Sequence, residues 1–122
     1  MADLTLAAML GDGIGQDIVP AAMRVLTTAA RRQGIDLDFA VLPCGLAALA
    51  THGSTFPAET RDALPEYPGW LLGPISQHLY PASDPRYINP SGFLRKHHDL
   101  YANIRPTRTS QRLRQCRCWS SR

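Results

Sequence analysis

The sequence predicts an α/β domain built on a mainly parallel sheet. Three observations carry that reading. Leu4 to Leu10 is an apolar run that stops at glycine, as a strand buried on both faces does. Asp36 to Leu42 alternates polar and apolar residues, and Gly69 to Pro74 (GWLLGP) is another short apolar run entering a loop. Between the first two, Ile18, Val19, Ala22, Val25, Leu26 and Ala29 fall at helical spacing. Strands alternating with helices in this order favour parallel pairing.

The elements follow in order. Gly34 closes the first helix, and Pro20 is expected near its start, where a missing N–H costs least. Gly45 to His52 reads as a short helix and Pro57 to Leu64 as another with Pro57 in its first turn, HGSTFP being the loop between them. Pro81 to Pro90 is irregular. Ser91 is expected to cap a helix over Gly92 to His98, and Leu100 to Ile104 is apolar enough for a further strand.

The 122 residues suit one domain, with 44% hydrophobic and 19% charged residues placing the chain among globular proteins. The formal charge of +3 is unevenly spread. Up to Pro106 there are eight Lys and Arg against ten Asp and Glu, whereas Thr107 to Arg122 holds five arginines and no acid. This last stretch lacks apolar periodicity and is expected to be a basic, disordered or frameshifted tail, with nucleic-acid binding the rival reading. No run reaches the roughly 20 apolar residues of a membrane span. The opening MADLTLAAML lacks a basic region ahead of its apolar part, which argues against a signal peptide. Cys44, Cys116 and Cys118 make no disulfide framework, so a cytoplasmic setting is expected.

Several motifs invite chemistry. GDGIG at Gly11 to Gly15 follows a strand and opens a helix, as a dinucleotide-binding turn would, with Asp36 and Asp38 about where a ribose-binding acid belongs. Gln16 occupies the place of the third glycine, so a plain strand-to-helix turn is the expected reading. His52, His78, His97 and His98 show no metal-ligand spacing with one another or with Cys44, and solvent-facing histidines are expected. LRKHHDLYANIRP places Arg95 and Arg105 ten residues apart in a chain with one lysine, Lys96. Arginine is the residue that grips a planar carboxylate or phosphate with two parallel hydrogen bonds.

Taken together, GDGIG, the G-x-x-FPAET of Gly53 to Thr60, LLGPIS at Leu71 to Ser76 and LRKHHDLYANIRP resemble the N-terminal part of the β-decarboxylating 2-hydroxy-acid dehydrogenases, the isocitrate/isopropylmalate dehydrogenase family. The resemblance runs over about residues 4 to 106 and implies an incomplete, isopropylmalate dehydrogenase-like α/β sheet domain with flanking helices. It implies that Arg95 and Arg105 hold the α-carboxylate and malate-type end of a hydroxy-acid substrate. Ser91 would face the substrate's γ-substituent, serine favouring a small or polar one over an isopropyl group. Ile75, Ser76 and Asn103 would lie near the nicotinamide of NAD or NADP. The family's reaction also uses Mg2+ or Mn2+ as a Lewis acid. Its catalytic tyrosine and lysine and its metal-binding aspartates fall downstream of the matched stretch, so the chain is expected to be an N-terminal fragment, inactive alone and leaving an apolar sheet edge exposed. Full-length members pair as homodimers. The alternative is a non-catalytic module binding a dicarboxylate or a nucleotide.

Overall fold

The computed structural model describes residues 2–81 and 83–106. Strand β1 (Ala2–Met9) leads through GDGIG into helix α1 (Gly15–Arg32), and β2 (Ile35–Val41) follows. Helices α2 (Leu46–His52) and α3 (Ala58–Ala63) come next, then β3 (Trp70–Leu72) and helix α4 (Pro90–His97). The sheet has the order β2-β1-β3, and both pairings are parallel. The α/β class expected from the apolar runs is therefore the observed one, with β1 in the centre.

The register divides the residues between two faces, because side chains alternate along a strand. Leu4, Leu6 and Ala8 lie beside Leu37, Phe39 and Val41. On the opposite face Ala7 is level with Ala40 and Trp70, and Met9 with Leu72. This second face carries the main core: Ala7, Met9, Cys44, Phe56, Leu64 and Leu94, with Trp70, Leu72 and Phe93 packed against it. The strongly apolar sequence around β1 thus reflects burial on both sides; Ala7, Ala8 and Met9 are all fully buried.

The G-x-x-FPAET segment is the structural hub of that core. Phe56 is fully buried, with the Phe93 ring edge-on at 5.5 Å. The Thr60 hydroxyl donates to the Pro43 carbonyl at 2.8 Å. Thr55 exchanges hydrogen bonds with Ile88, its hydroxyl donating to that carbonyl and accepting from that N–H, both at 2.8 Å. Those contacts tie the irregular 81–90 segment to the loop after α2. Helix α4 is anchored by buried Leu94 and by Phe93, whose ring has the Arg61 guanidinium 5.4 Å from its centroid and His97 stacked at 4.9 Å.

Four expectations need correction. Helix α1 begins at Gly15, so Pro20 lies inside it and leaves the Gln16 carbonyl without its intrahelical partner. Helix α4 is capped by Asn89, whose side chain accepts from the Gly92 N–H, with Pro90 in the first turn. Ser91 is thus a first-turn residue, not the cap; the Asn-Pro pair supplies both a capping oxygen and a preset φ. Residues 101–106 form no strand, because none of the described residues pairs with them, and Tyr101 and Ile104 stay exposed. Finally, His98 is half-buried, its ring 4.8 Å from that of Trp70. The expectations for Cys116, Cys118 and the basic tail fall outside the described residues.

Helix α1 presents Ile18, Val25 and Leu26 to solvent, Val25 at 68% exposure. Phe56→Ala should cost about 3–5 kcal/mol through the cavity it leaves. Val25→Glu should leave stability within about 0.5 kcal/mol, as for surface changes that touch nothing buried. Urea unfolding followed by circular dichroism distinguishes the two.

Candidate functional site

Ligands of open parallel sheets bind outside the carboxyl ends of the strands. Here those ends are Met9 running into Gly11 and Asp12, and Leu72 running into Gly73 to Ser76. The two segments travel side by side. The Gly73 N–H donates to Met9 O at 2.8 Å, and the Asp12 N–H to Pro74 O at 2.7 Å. Gly11 has φ +72°, and a Cβ there would stand 2.3 Å from the Pro74 oxygen. Only glycine allows the approach.

Asp12 is 5% exposed and lies at the centre of this region. Its Oδ1 accepts from the Leu46 N–H at 2.6 Å, in the first turn of α2. Its Oδ2 accepts from the Ser76 N–H at 2.8 Å and the Tyr80 hydroxyl at 2.9 Å. No cation of the described residues pairs with it. A buried carboxylate is tolerable when hydrogen bonds replace its water, and three donors do so here. Gly45 leaves the space: its φ is +86° and its ψ −164°, and a Cβ would fall 2.4 Å from Asp12 Oδ1.

The neighbouring acids respond to this charge. Burial, then the Asp12 charge, push the Cys44 thiol up to about 12, against a smaller opposing effect of the Gly45 backbone. Burial also raises the Tyr80 phenol, and its hydrogen bond to Asp12 adds to the rise. Both groups stay protonated near neutrality and hold structure; a thiol in this state is a poor nucleophile.

GDGIG also uses its own amides. The Gly15 N–H donates to Asp12 O and the Gln16 N–H to Gly13 O, while Asp12 N–H goes to Pro74. Those donors are not free to cradle a pyrophosphate. Asp36 and Asp38 pair with Asp3 and Thr5. At about 3.3 Å per residue, Asp36 lies roughly 26 Å and Asp38 roughly 20 Å along the strand from Gly11. Both carboxylates therefore stand well along the sheet from the turn itself.

The residues singled out in the sequence fall into three local groups. Ile75 and Ser76 are half-buried on the loop leaving β3, beside Asp12. Ser91 and Arg95 share one turn of α4, where Arg95 Nε donates to the Ser91 carbonyl at 3.1 Å. Asn103 and Arg105 are exposed in the 101–106 segment, where Arg105 Nε reaches Asn103 Oδ1 at 3.4 Å. No hydrogen bond or ion pair among the described residues joins one group to another. Both arginines are exposed and outside any ion pair of the described residues, unlike Arg86, which Asp84 binds at 2.7 Å. That pairing holds the Asp84 carboxyl below its usual range. Asp12, Gly45 and Tyr80 were not singled out; the only sequence signal was an acid lodged between two glycines.

Comparison with known proteins turns this class of fold, a parallel sheet with its crevice at the strand ends, into a family. The sequence profile described as isocitrate/isopropylmalate dehydrogenase matches residues 5–120. The 3-isopropylmalate dehydrogenase of Desulfitobacterium hafniense is 38% identical over 106 residues, covering 84% of this chain and 30% of the relative. That of Desulfotalea psychrophila is 34% identical over 114 residues, covering 88% and 31%. The isocitrate dehydrogenase [NADP] of Archaeoglobus fulgidus is 38% identical over 96 residues, covering 79% and 22%. The chain belongs to the isocitrate/isopropylmalate dehydrogenase family. It spans about a third or less of the length of these relatives.

Among the described residues no helix is long and apolar enough to cross a membrane. None of their His, Cys, Asp and Glu side chains form a group of three or more that could hold a metal ion.

Three outcomes follow. Gly45→Ala should destabilise the chain by about 1–3 kcal/mol, the strain of a backbone region reserved for glycine, and the clash with Asp12 adds to it. Cys44 should resist iodoacetamide at pH 8 in the native chain and react in urea, with peptide mass mapping scoring each cysteine separately. Because the folded-state Cys44 acidity is weakened, its contribution to stability is full below its unfolded value near 9 and falls as pH rises from 9 towards 12.

Proposed function

We propose that this chain supplies the substrate-carboxylate and nicotinamide-facing part of an NAD(P)-dependent oxidative decarboxylase acting on a 2-hydroxy di- or tricarboxylic acid. The observation that carries the proposal is the family match, which spans the loop bearing Ile75 and Ser76 and the segment bearing Ser91, Arg95, Asn103 and Arg105. The relatives' names, 3-isopropylmalate and isocitrate dehydrogenase, give the substrate class. Two exposed guanidiniums with no carboxylate partner among the described residues support the same reading.

In this proposal Arg95 and Arg105 hold the α-carboxylate and malate-type end through charge-assisted hydrogen bonds. Ser91, one turn before Arg95 on α4, meets the γ-substituent and favours a small or polar one. Ile75, Ser76 and Asn103 face the nicotinamide, which when bound accepts the hydride. The roles open to these residues are holding and orienting. The chain by itself is then a binder without turnover.

Calorimetry with L-malate and with NAD tests the proposal. Each charge-assisted hydrogen bond is worth about 1.5–3 kcal/mol, so Arg95→Gln and Arg105→Gln should each weaken malate binding about tenfold or more. Lys96→Gln should change it little. Malate binding that is absent, or indifferent to both arginines, contradicts the proposal. Tight NAD binding without malate binding would favour the nucleotide-binding alternative.

A further inference from the structure

The geometry assigns Asp12 as the positioning residue of the nicotinamide-facing loop: its backbone and its side chain together clasp the peptides on either side of Ile75. The assignment rests on the proposed role of Ile75 and Ser76. The Asp12 N–H donates to the Pro74 carbonyl at 2.7 Å, just before Ile75. The Asp12 carboxylate accepts from the Ser76 N–H at 2.8 Å, just after it. That N–H belongs to the peptide plane linking Ile75 to Ser76, so one residue fixes the direction of the backbone through both.

The clasp requires a carboxylate of this length. Oδ2 already takes two donors and Oδ1 takes the Leu46 N–H. An asparagine has the same shape but would turn an N–H2 toward one of those donors. A glutamate would carry its oxygens one methylene further out, away from the Leu46 and Ser76 N–H groups that the aspartate meets. The Tyr80 hydroxyl, 2.9 Å from Oδ2, braces the carboxylate from outside the clasp. Arg95 and Arg105 make no hydrogen bond to any part of it. A change at Asp12 therefore reaches the cofactor side without touching the arginines.

The test uses the full 122-residue chain, 15N-labelled, as wild type, Asp12→Asn and Tyr80→Phe. In Asp12→Asn the Ser76 amide proton should move upfield while the β1 amides keep their positions. NAD binding should weaken about tenfold or more, as for loss of a hydrogen bond to a charged group, with malate binding unchanged. Tyr80→Phe should leave the Ser76 shift near wild type. An unmoved Ser76 amide, or equal losses of NAD and malate binding, overturns the assignment. Should Asp12→Asn fail to fold, the wild-type Ser76 amide decides: a downfield position with a shallow temperature dependence supports the clasp, and the steep dependence of a free amide overturns it. A wild-type chain that binds no NAD refutes the functional reading, while the clasp is still judged by the Ser76 amide.

Discussion

One buried carboxylate holds together segments that would otherwise touch only loosely. Asp12 is linked to Leu46, Ser76 and Tyr80, respectively 34, 64 and 68 residues away in the chain. Its contacts fix the start of α2 and the loop leaving β3 against the end of β1. The surrounding sequence makes room for it with Gly11 and Gly45, both at positive φ. A charge in such a place has a large desolvation cost, offset only while all three donors stay in place. That makes the crevice at the strand ends a cooperative unit.

The residues proposed to bind substrate and cofactor are arranged around this unit in a graded way. Ile75 and Ser76 are clamped to it. Ser91 and Arg95 ride on α4, whose placement depends on Leu94 and on the packing of Phe93 between Phe56, Arg61 and His97. Asn103 and Arg105 lie where the backbone makes no regular pairing. The proposed cofactor side is thus tied into the fold, whereas Arg105 lies exposed in a stretch without regular structure.

How much of this was legible depended on range. The strands and α1 could be read because apolar periodicity is local, and the parallel sheet followed from their alternation. Corrections arose where a short-range alternative won, as when Asn89 and Pro90 capped α4 ahead of Ser91. The stretch from Leu100 to Ile104 has strand-forming residues but finds no edge to pair with, and propensity alone cannot supply a partner. Arg95 and Arg105 were visible because residue type announces their chemistry. Asp12 was not, since its partners are remote and an aspartate between glycines reads first as a turn. Thr55 and Thr60 escaped in the same way: polar residues in an expected loop and an expected short helix, they are fully buried and hydrogen-bonded to distant backbone.

The most direct test of the central tie is native-state amide hydrogen exchange of the unsubstituted chain. The Leu46 and Ser76 amides should exchange as slowly as the central amides of β1, because opening either one strands the Asp12 charge. Exchange of both at the rate of the exposed 101–106 amides would contradict the account.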